Sequence, residues 1–335
     1  MIRLLRANYA RMFKSWYFQI GIVLFMVINF VIPFSVYRDM QNFPEYYSQD
    51  VIDLDSFPFE SESERMEFVQ YVLRENSHEG YMFATGGLII FILPVIIGLF
   101  IGTDYSDGTI RNKLVVGHTR LNVYLANFIT VISVSELIYL AGIAVSYFSG
   151  LIFFKNDALS ATETLLFVLA GIFITASWAS ICTLISMLLH SKAGSIVITL
   201  LIASFMAIFS VDIFIYSLKE PEYYDENVYM LEETGDIYEL PKSFEKMTEE
   251  DFLDIGITPG ETDKLVSQKE ENPNAPHGIK REIYKLVRDA SPGCQIENLA
   301  SWEDEYNDTT ILWSAVIILL TTSSGILVFR KQNLK

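Results

Sequence analysis

The sequence predicts an all-α polytopic membrane protein of six transmembrane helices, with both termini cytoplasmic. Three observations predict it. Of the 335 residues, 51% are hydrophobic and only 19% charged, against about 25% charged in ordinary soluble domains. The apolar residues gather into six blocks, each near or above the ~20 residues a helix needs to cross ~30 Å of hydrocarbon. The short polar segments on one side of those blocks are basic and the long ones on the other side acidic. This composition excludes a disordered chain and argues against an ordinary cytosolic enzyme. A net charge of −17 disfavours nucleic acid as a partner, because phosphate binding needs a basic face.

In chain order the blocks are Trp16–Val36, Phe83–Ile101, Asn122–Phe154, Thr164–Leu189, Ala193–Leu218 and Thr310–Phe329. The third is too long for one straight span, so it extends into the cytosol at its start or tilts. Residues 1–15 carry Arg3, Arg6, Arg11 and Lys14 interleaved with Ile2, Leu4, Leu5, Met12 and Phe13, the pattern of a helix lying in the inner interface. The first block lacks an A-x-A-like cleavage site after Pro33 and reads as an uncleaved anchor rather than a signal peptide.

Orientation follows from the short segments. Residues 1–15, Thr103–Leu121, His190–Lys192 and Arg330–Lys335 together hold eleven Lys/Arg against two acids, Asp104 and Asp107. Positive-inside bias makes their side the cytoplasm and places the chain in the cell membrane. On the other side, Tyr37–Met82 carries 11 acids and 3 bases, and Lys219–Asp308 carries 24 acids and 9 bases. The first is an extracytoplasmic loop and the second, 219–308, an acidic extracytoplasmic domain before the last span and tail at 309–335.

These outer segments have helix signals. Ser61–Glu64 has the S-x-x-E form of a capping box, with Met66, Val69, Val72 and Leu73 following at helical spacing, which predicts a helix over Glu62–Arg74. Thr248–Asp251 opens a second helix, and Ile279–Arg288 is a third, stopped by Ser291-Pro292-Gly293. Tyr216, Tyr223, Tyr224 and Tyr229 read as an interfacial belt before a ligand site. The acidity suits cationic peptides, antimicrobial peptides among them, or a solvated surface; no D-x-D-x-D-G loop for Ca²⁺ is present. Cys182 falls in the fourth block and Cys294 in the outer domain, so they do not bridge within one chain, and Cys294 reads as a free thiol before a bridge to another subunit.

Motifs of catalysis are absent from the sequence. There is no P-loop, H-E-x-x-H, C-x-x-C or G-x-S-x-G, and His78, His118, His190 and His277 do not fall at metal-ligand spacing. No catalytic residue, resident cofactor or metal is expected. Glu136 lies mid-block, where ionisation is costly, and is either a pathway or gating residue or a hydrogen-bonded contact between helices. Asp212, near the outer end of the fifth block, reads as structural. Gly98 and Gly102 form a G-x-x-x-G, with Gly142, Ser146 and Gly150 repeating the spacing; such faces serve packing within one chain or a dimer seam. Pro94 kinks the second span.

The most informative stretch follows that span. Asp107-Gly108 reads as a turn. Thr109–Val116 reads as a short helix with Ile110 and Leu114 on one face, Gly117 as its C-terminal cap and Thr119 as the cap of the next helix. The helix lies across the inner surface, a shape suited to docking on a cytosolic partner.

Asp104-Tyr105-Ser106-Asp107-Gly108-Thr109-Ile110-Arg111, followed by Gly117-His118-Thr119-Arg120, resembles the permeases of ABC-2 type transporters. There an acidic-aromatic segment precedes G-T-[IL]-[RK], a few apolar residues, a small residue and [ST]-R. The layout of a basic interfacial helix and six spans with both ends inside is similar over nearly the whole chain. Two features depart from the pattern: Asn127 stands where many members carry Lys, and the segment before the last span is longer than the usual hairpin. The resemblance implies the membrane subunit of an ATP-driven exporter of peptide, drug or lipid. It implies a separate cytosolic ATPase subunit holding ATP and Mg, and a second permease copy or paralogue. It makes 103–121 the coupling-helix region, with Asp104, Asp107, Gly108, Thr109, Ile110 and Arg111 in the coupling helix or its approach and Arg120 at its exit. The competing reading is a non-transporting sensor or assembly subunit whose outer domain binds a ligand or partner.

Overall fold

The structure is a computed structural model and describes residues 1–42, 87–153, 161–208, 218, 223–224, 228–231, 237–239, 265–267, 270–271, 275–300 and 307–332. The predicted helices at Glu62–Arg74 and Thr248–Asp251, together with Tyr216 and Asp212, lie outside the described residues. The chain divides into two compact units, Met1–Val211 with Arg288–Lys335, and Asp212–Val287.

The first unit is helical throughout its described residues. It runs α1 (Ile2–Lys14), α2 (Trp16–Asn42), α3 (Ile89–Ser106), α4 (Thr109–Val115), α5 (Arg120–Phe153), α6 (Ala161–Leu189) and α7 (Lys192–Phe205). Helices α8 (Gly278–Ala290), α9 (Pro292–Ala300) and α10 (Asn307–Lys331) close the chain. Five of these helices contain stretches long and apolar enough to cross a membrane: Trp16–Asp39, Ile89–Ser106, Arg120–Phe153, Thr164–Leu189 and Thr309–Lys331. The chain therefore has the build of a multi-pass membrane protein. Lys192–Ile208, the described part of the predicted fifth span, is apolar but shorter.

One boundary differs from the sequence reading. The helix of the second block does not stop at Ile101: α3 continues to Ser106. Thr103 Oγ1 donates to the Leu99 carbonyl at 2.6 Å, and Asp104 is neutralised by side chains from other helices, so neither residue needs water. The third block is one helix of 34 residues, about 50 Å at 1.5 Å per residue, and its first turns carry the polar contacts described below.

Large buried side chains from several helices make the core, among them Phe25, Phe100, Tyr124, Phe167 and Trp178. Helix α6 lies centrally, packed by α10, α3, α5 and α7. Glycines set the spacing of several pairs. A Cβ at Gly142 would strike the Phe25 ring of α2, and one at Gly171 the Tyr139 hydroxyl. Pro94 lies inside α3 and has no N–H for the Ile90 carbonyl. The buried Trp178 indole donates to that carbonyl at 3.0 Å, so the proline leaves no orphaned acceptor. Between α6 and α10, the Ser180 and Thr321 hydroxyls meet at 2.8 Å.

The second unit contains short antiparallel strands that the sequence reading did not anticipate. β1 (Tyr223–Tyr224) pairs with β5 (Glu270–Glu271), and β2 (Val228–Leu231) lies between β3 (Ile237–Glu239) and β4 (Leu265–Ser267). Tyr223, Tyr224 and Tyr229 are strand residues, with Tyr229 opposite Tyr238. Both cysteines are buried thiols.

Candidate functional site

The basic end of the helical unit carries the densest polar cluster among the described residues. It begins with the turn between α3 and α5. Gly108 caps α4 with φ +68°, a left-handed conformation that costs a side-chain-bearing residue about 1 kcal/mol or more. A Cβ there would meet nothing within 4 Å, so the constraint is on the backbone alone. At the other end, the Gly117 N–H donates to the Leu114 carbonyl at 3.0 Å and the His118 N–H to the Lys113 carbonyl at 3.2 Å. With Gly117 at φ +97°, this is a Schellman cap. Thr119 Oγ1 then accepts from the Asn122 N–H at 3.2 Å and starts α5. The helix and both caps stand where the residues place them.

Helix α4 is pinned by two side chains. Ile110 is buried in the core. Lys113 reaches inward to Asp104, its Nζ 2.9 Å from Oδ2. Asp104 is fully buried. Arg11 of α1 grips the same carboxylate with both terminal nitrogens, Nη2 donating to Oδ2 at 3.0 Å and Nη1 donating to Oδ1. Its guanidinium also lies 4.1 Å from the centroid of the Phe100 ring. Asn127 of α5 completes the shell, its Nδ2 donating to Oδ2 at 3.4 Å.

Asn8 of α1 closes a ring. Its Nδ2 donates to Asn127 Oδ1 at 2.7 Å, and its Oδ1 accepts from Lys113 Nζ at 3.1 Å. Leu4, Asn8 and Met12 form the buried stripe of α1, so the same face that packs the helix delivers Asn8. Four elements are thereby tied at one carboxylate: α1, the end of α3, α4 and the start of α5. Three of these donors converge on Oδ2 and one on Oδ1, of the about four acceptor positions a carboxylate offers.

Two cations facing one anion leave an excess positive charge in a site with little water. Burial, with repulsion from Arg11 second, pushes the Lys113 ammonium down to about 7, and burial also lowers Arg11. Lys113 keeps its ordinary value in the unfolded chain, so the cost of charging it in the fold is present in full below pH 7. That cost is relieved as the pH climbs from 7 toward 10.5. The apparent Tm of the purified chain is expected to rise over this range relative to Lys113→Met. Parallel pH profiles of the two proteins would remove this account.

Asp107 is more than half exposed, with Lys192 Nζ 3.7 Å away, a pair that contributes little. Thr109 opens α4, and Arg111 points to solvent with Val115 and Val116. Arg120 is engaged within the chain: Nη1 donates to the carbonyls of Phe329 at 3.0 Å and Arg330 at 3.1 Å, and to that of Gln332. It caps the C-terminal end of α10, where a cation also suits the helix dipole. Gly98 and Gly102 face α7: a Cβ at Gly98 would lie 2.6 Å from Ile196 Cγ1, and one at Gly102 2.6 Å from Lys192 Cα. Their G-x-x-x-G is a packing face within this chain.

Glu136 stands apart from the cluster, about 13 Å further along α5 than Asn127 at 1.5 Å per residue. Both its carboxylate oxygens are buried with no hydrogen-bond partner among the described residues, and so is the Tyr139 hydroxyl one turn on. Tyr139 lines a small cavity with Gly87, Ile89, Gly171, Thr175 and Leu299.

No family model matches the chain, and no curated protein matches it. Sequence reasoning found Asp104 but missed Asn8, Arg11, Lys113 and Asn127 as its partners. The available signal was a lone acid bracketed by cations at the end of an apolar block, which must find a partner if its helix continues.

Proposed function

We propose that the chain is the membrane-spanning permease subunit of an ATP-driven exporter, with six spans, both termini in the cytoplasm and a location in the cell membrane. A separate cytosolic subunit supplies ATP hydrolysis with Mg, and a second permease copy or paralogue completes the unit. The observation that carries this reading is the seating of α4. Ile110 and Lys113 fix its inner face, while Arg111, Val115 and Val116 are turned outward. A push on the outer face is delivered through the shared Asp104 to α1, α3 and α5 together. Such an element moves as a rigid body rather than absorbing the push locally. The sequence pattern around Gly108-Thr109-Ile110-Arg111 adds the resemblance to ABC-2 permeases. In this reading Glu136, a carboxylate without a partner among the described residues, supplies a polar point on or beside the pathway for peptide, drug or lipid.

The test is affinity purification of the full chain from its native membrane, followed by an ATPase assay of the complex in vesicles. A P-loop ATPase is expected to co-purify. Arg111→Glu, which alters an exposed residue, is expected to lower hydrolysis supported by the complex about tenfold, the equivalent of ~1.4 kcal/mol at the interface. Absence of any ATPase, or equal hydrolysis by Arg111→Glu and the parent, would overturn the reading.

A further inference from the structure

Helix α5 carries an acid at its middle that the Asp104 cluster does not use. Glu136 falls about halfway along the 34-residue helix, and both its carboxylate oxygens are buried with no hydrogen-bond partner among the described residues. Tyr139 follows at i+3, on the same side of the helix, near enough for the Glu136 charge to act on its hydroxyl. Tyr139 is 3% exposed, and its hydroxyl too has no partner among the described residues. The carboxylate and the hydroxyl therefore do not bond each other. Three buried oxygens stand on adjacent turns, and nothing described donates to them.

There is also room. The Tyr139 hydroxyl reaches α6 where Gly171 has no side chain to meet it. Tyr139 lines a cavity of about 10 Å³ in the first unit, space for about one water-sized group. Thr175 is the other polar side chain of its wall, and Ile89, Ile174, Ile296 and Leu299 make the rest apolar.

We infer that Glu136 and Tyr139 form an intramembrane site for a primary ammonium group. The donor count chooses it. An ammonium brings three N–H groups and no acceptor, one for each of the three oxygens. Its single positive charge balances the one carboxylate, as a site of low dielectric requires. A proton would neutralise Glu136 but leave the Tyr139 oxygen and one carboxylate oxygen as they are. Calcium takes six to eight oxygens and magnesium a near-ideal octahedron, more than this pair supplies, and no group of three His, Cys, Asp or Glu lies together among the described residues. An apolar wall suits the carbon beside an ammonium better than the water shell of a metal ion. The binding site itself needs only the helices around it; that the ammonium belongs to cargo rests on the exporter reading. Two sources carry the group, the lysine side chain of a peptide and the headgroup of an aminophospholipid.

The experiment uses the full chain in vesicles of phosphatidylcholine, whose headgroup has no N–H, and measures saturable binding of radiolabelled hexylamine. Glu136→Gln keeps the shape and removes the charge, and is expected to weaken binding about a hundredfold; Tyr139→Phe is expected to weaken it about three- to tenfold. Apparent Tm in detergent shows that each variant is folded. Trimethylated hexylamine, with the charge but no N–H, is expected not to displace the label. Competition by a lysine peptide assigns the site to peptide, and competition by phosphatidylethanolamine in the vesicle assigns it to lipid. Equal affinity of Glu136→Gln and the parent, displacement by the trimethylated amine, or no saturable binding would overturn the inference. Hexylamine binding by a chain with which no ATPase co-purifies would remove the exporter reading and leave the site; an ATPase without hexylamine binding would do the reverse.

Discussion

Asp104→Asn is expected to destabilise the purified chain by about 3–5 kcal/mol, the cost of breaking a buried ion pair by removing one partner. The substitution keeps the shape of the side chain and removes the charge. Arg11 and Lys113 are then left facing each other across a neutral amide, and one amide oxygen replaces two charged acceptors for four donors. The loss is read as a fall in apparent Tm in detergent.

Two controls isolate the cause. Adding Lys113→Met to Asp104→Asn removes one of the stranded cations and is expected to recover part of the loss. Asp107→Asn, three residues away but more than half exposed beside Lys192, is expected to change stability by less than about 1 kcal/mol. If Asp104→Asn and Asp107→Asn behave alike, Asp104 is not the junction of the four helices. If Asp104→Asn weakens ATPase coupling without lowering Tm, the carboxylate acts in the motion rather than in holding the helices.

Why the sequence exposes the turn but hides the cluster is a matter of range. Gly108, Gly117 and Thr119 act on backbone groups within five residues of themselves, so their identity and spacing contain the geometry. Asp104 is satisfied from 93 residues earlier and 9 and 23 residues later. No local pattern carries those pairings. A charge count assigns Arg11 and Lys113 to the positive flank, where every cation is equivalent. The same reading ends the second block at Ile101, short of Asp104, because a hydropathy pattern takes any Asp to face water. Only the packed helices show that this Asp faces two cations. The apolar blocks are legible for the opposite reason: length and composition alone decide whether a helix suits hydrocarbon. In the outer segment, Ile279–Arg288 reads as a helix from its periodicity, but which face it turns outward depends on the rest of the fold.

Gly102→Ala tests the packing of α3 against α7 and is expected to destabilise by about 1–3 kcal/mol, the usual range for overpacking. On propensity alone the change has the other sign, since alanine is favoured over glycine inside a helix by about 1 kcal/mol. Space decides against it. The new methyl group would sit 2.6 Å from Lys192 Cα and 2.9 Å from Lys192 N, and backbone at the first turn of α7 cannot rotate away as a side chain can. Gly98→Ala makes the comparison. Its nearest obstacle is Ile196 Cγ1 at 2.6 Å, with Ile196 N at 3.3 Å, and an isoleucine side chain can yield. Gly102→Ala is therefore expected to lower apparent Tm more than Gly98→Ala, although both glycines belong to one G-x-x-x-G. Were this face a seam between two copies, the two changes would shift oligomeric state, measured by light scattering, and leave the Tm of the separated chain unaltered. Because Gly102 lies two residues before Asp104, its displacement also disturbs the Arg11 and Lys113 contacts. Gly102→Ala should accordingly add less than its own full cost when combined with Asp104→Asn, the non-additivity expected of neighbours that share one arrangement.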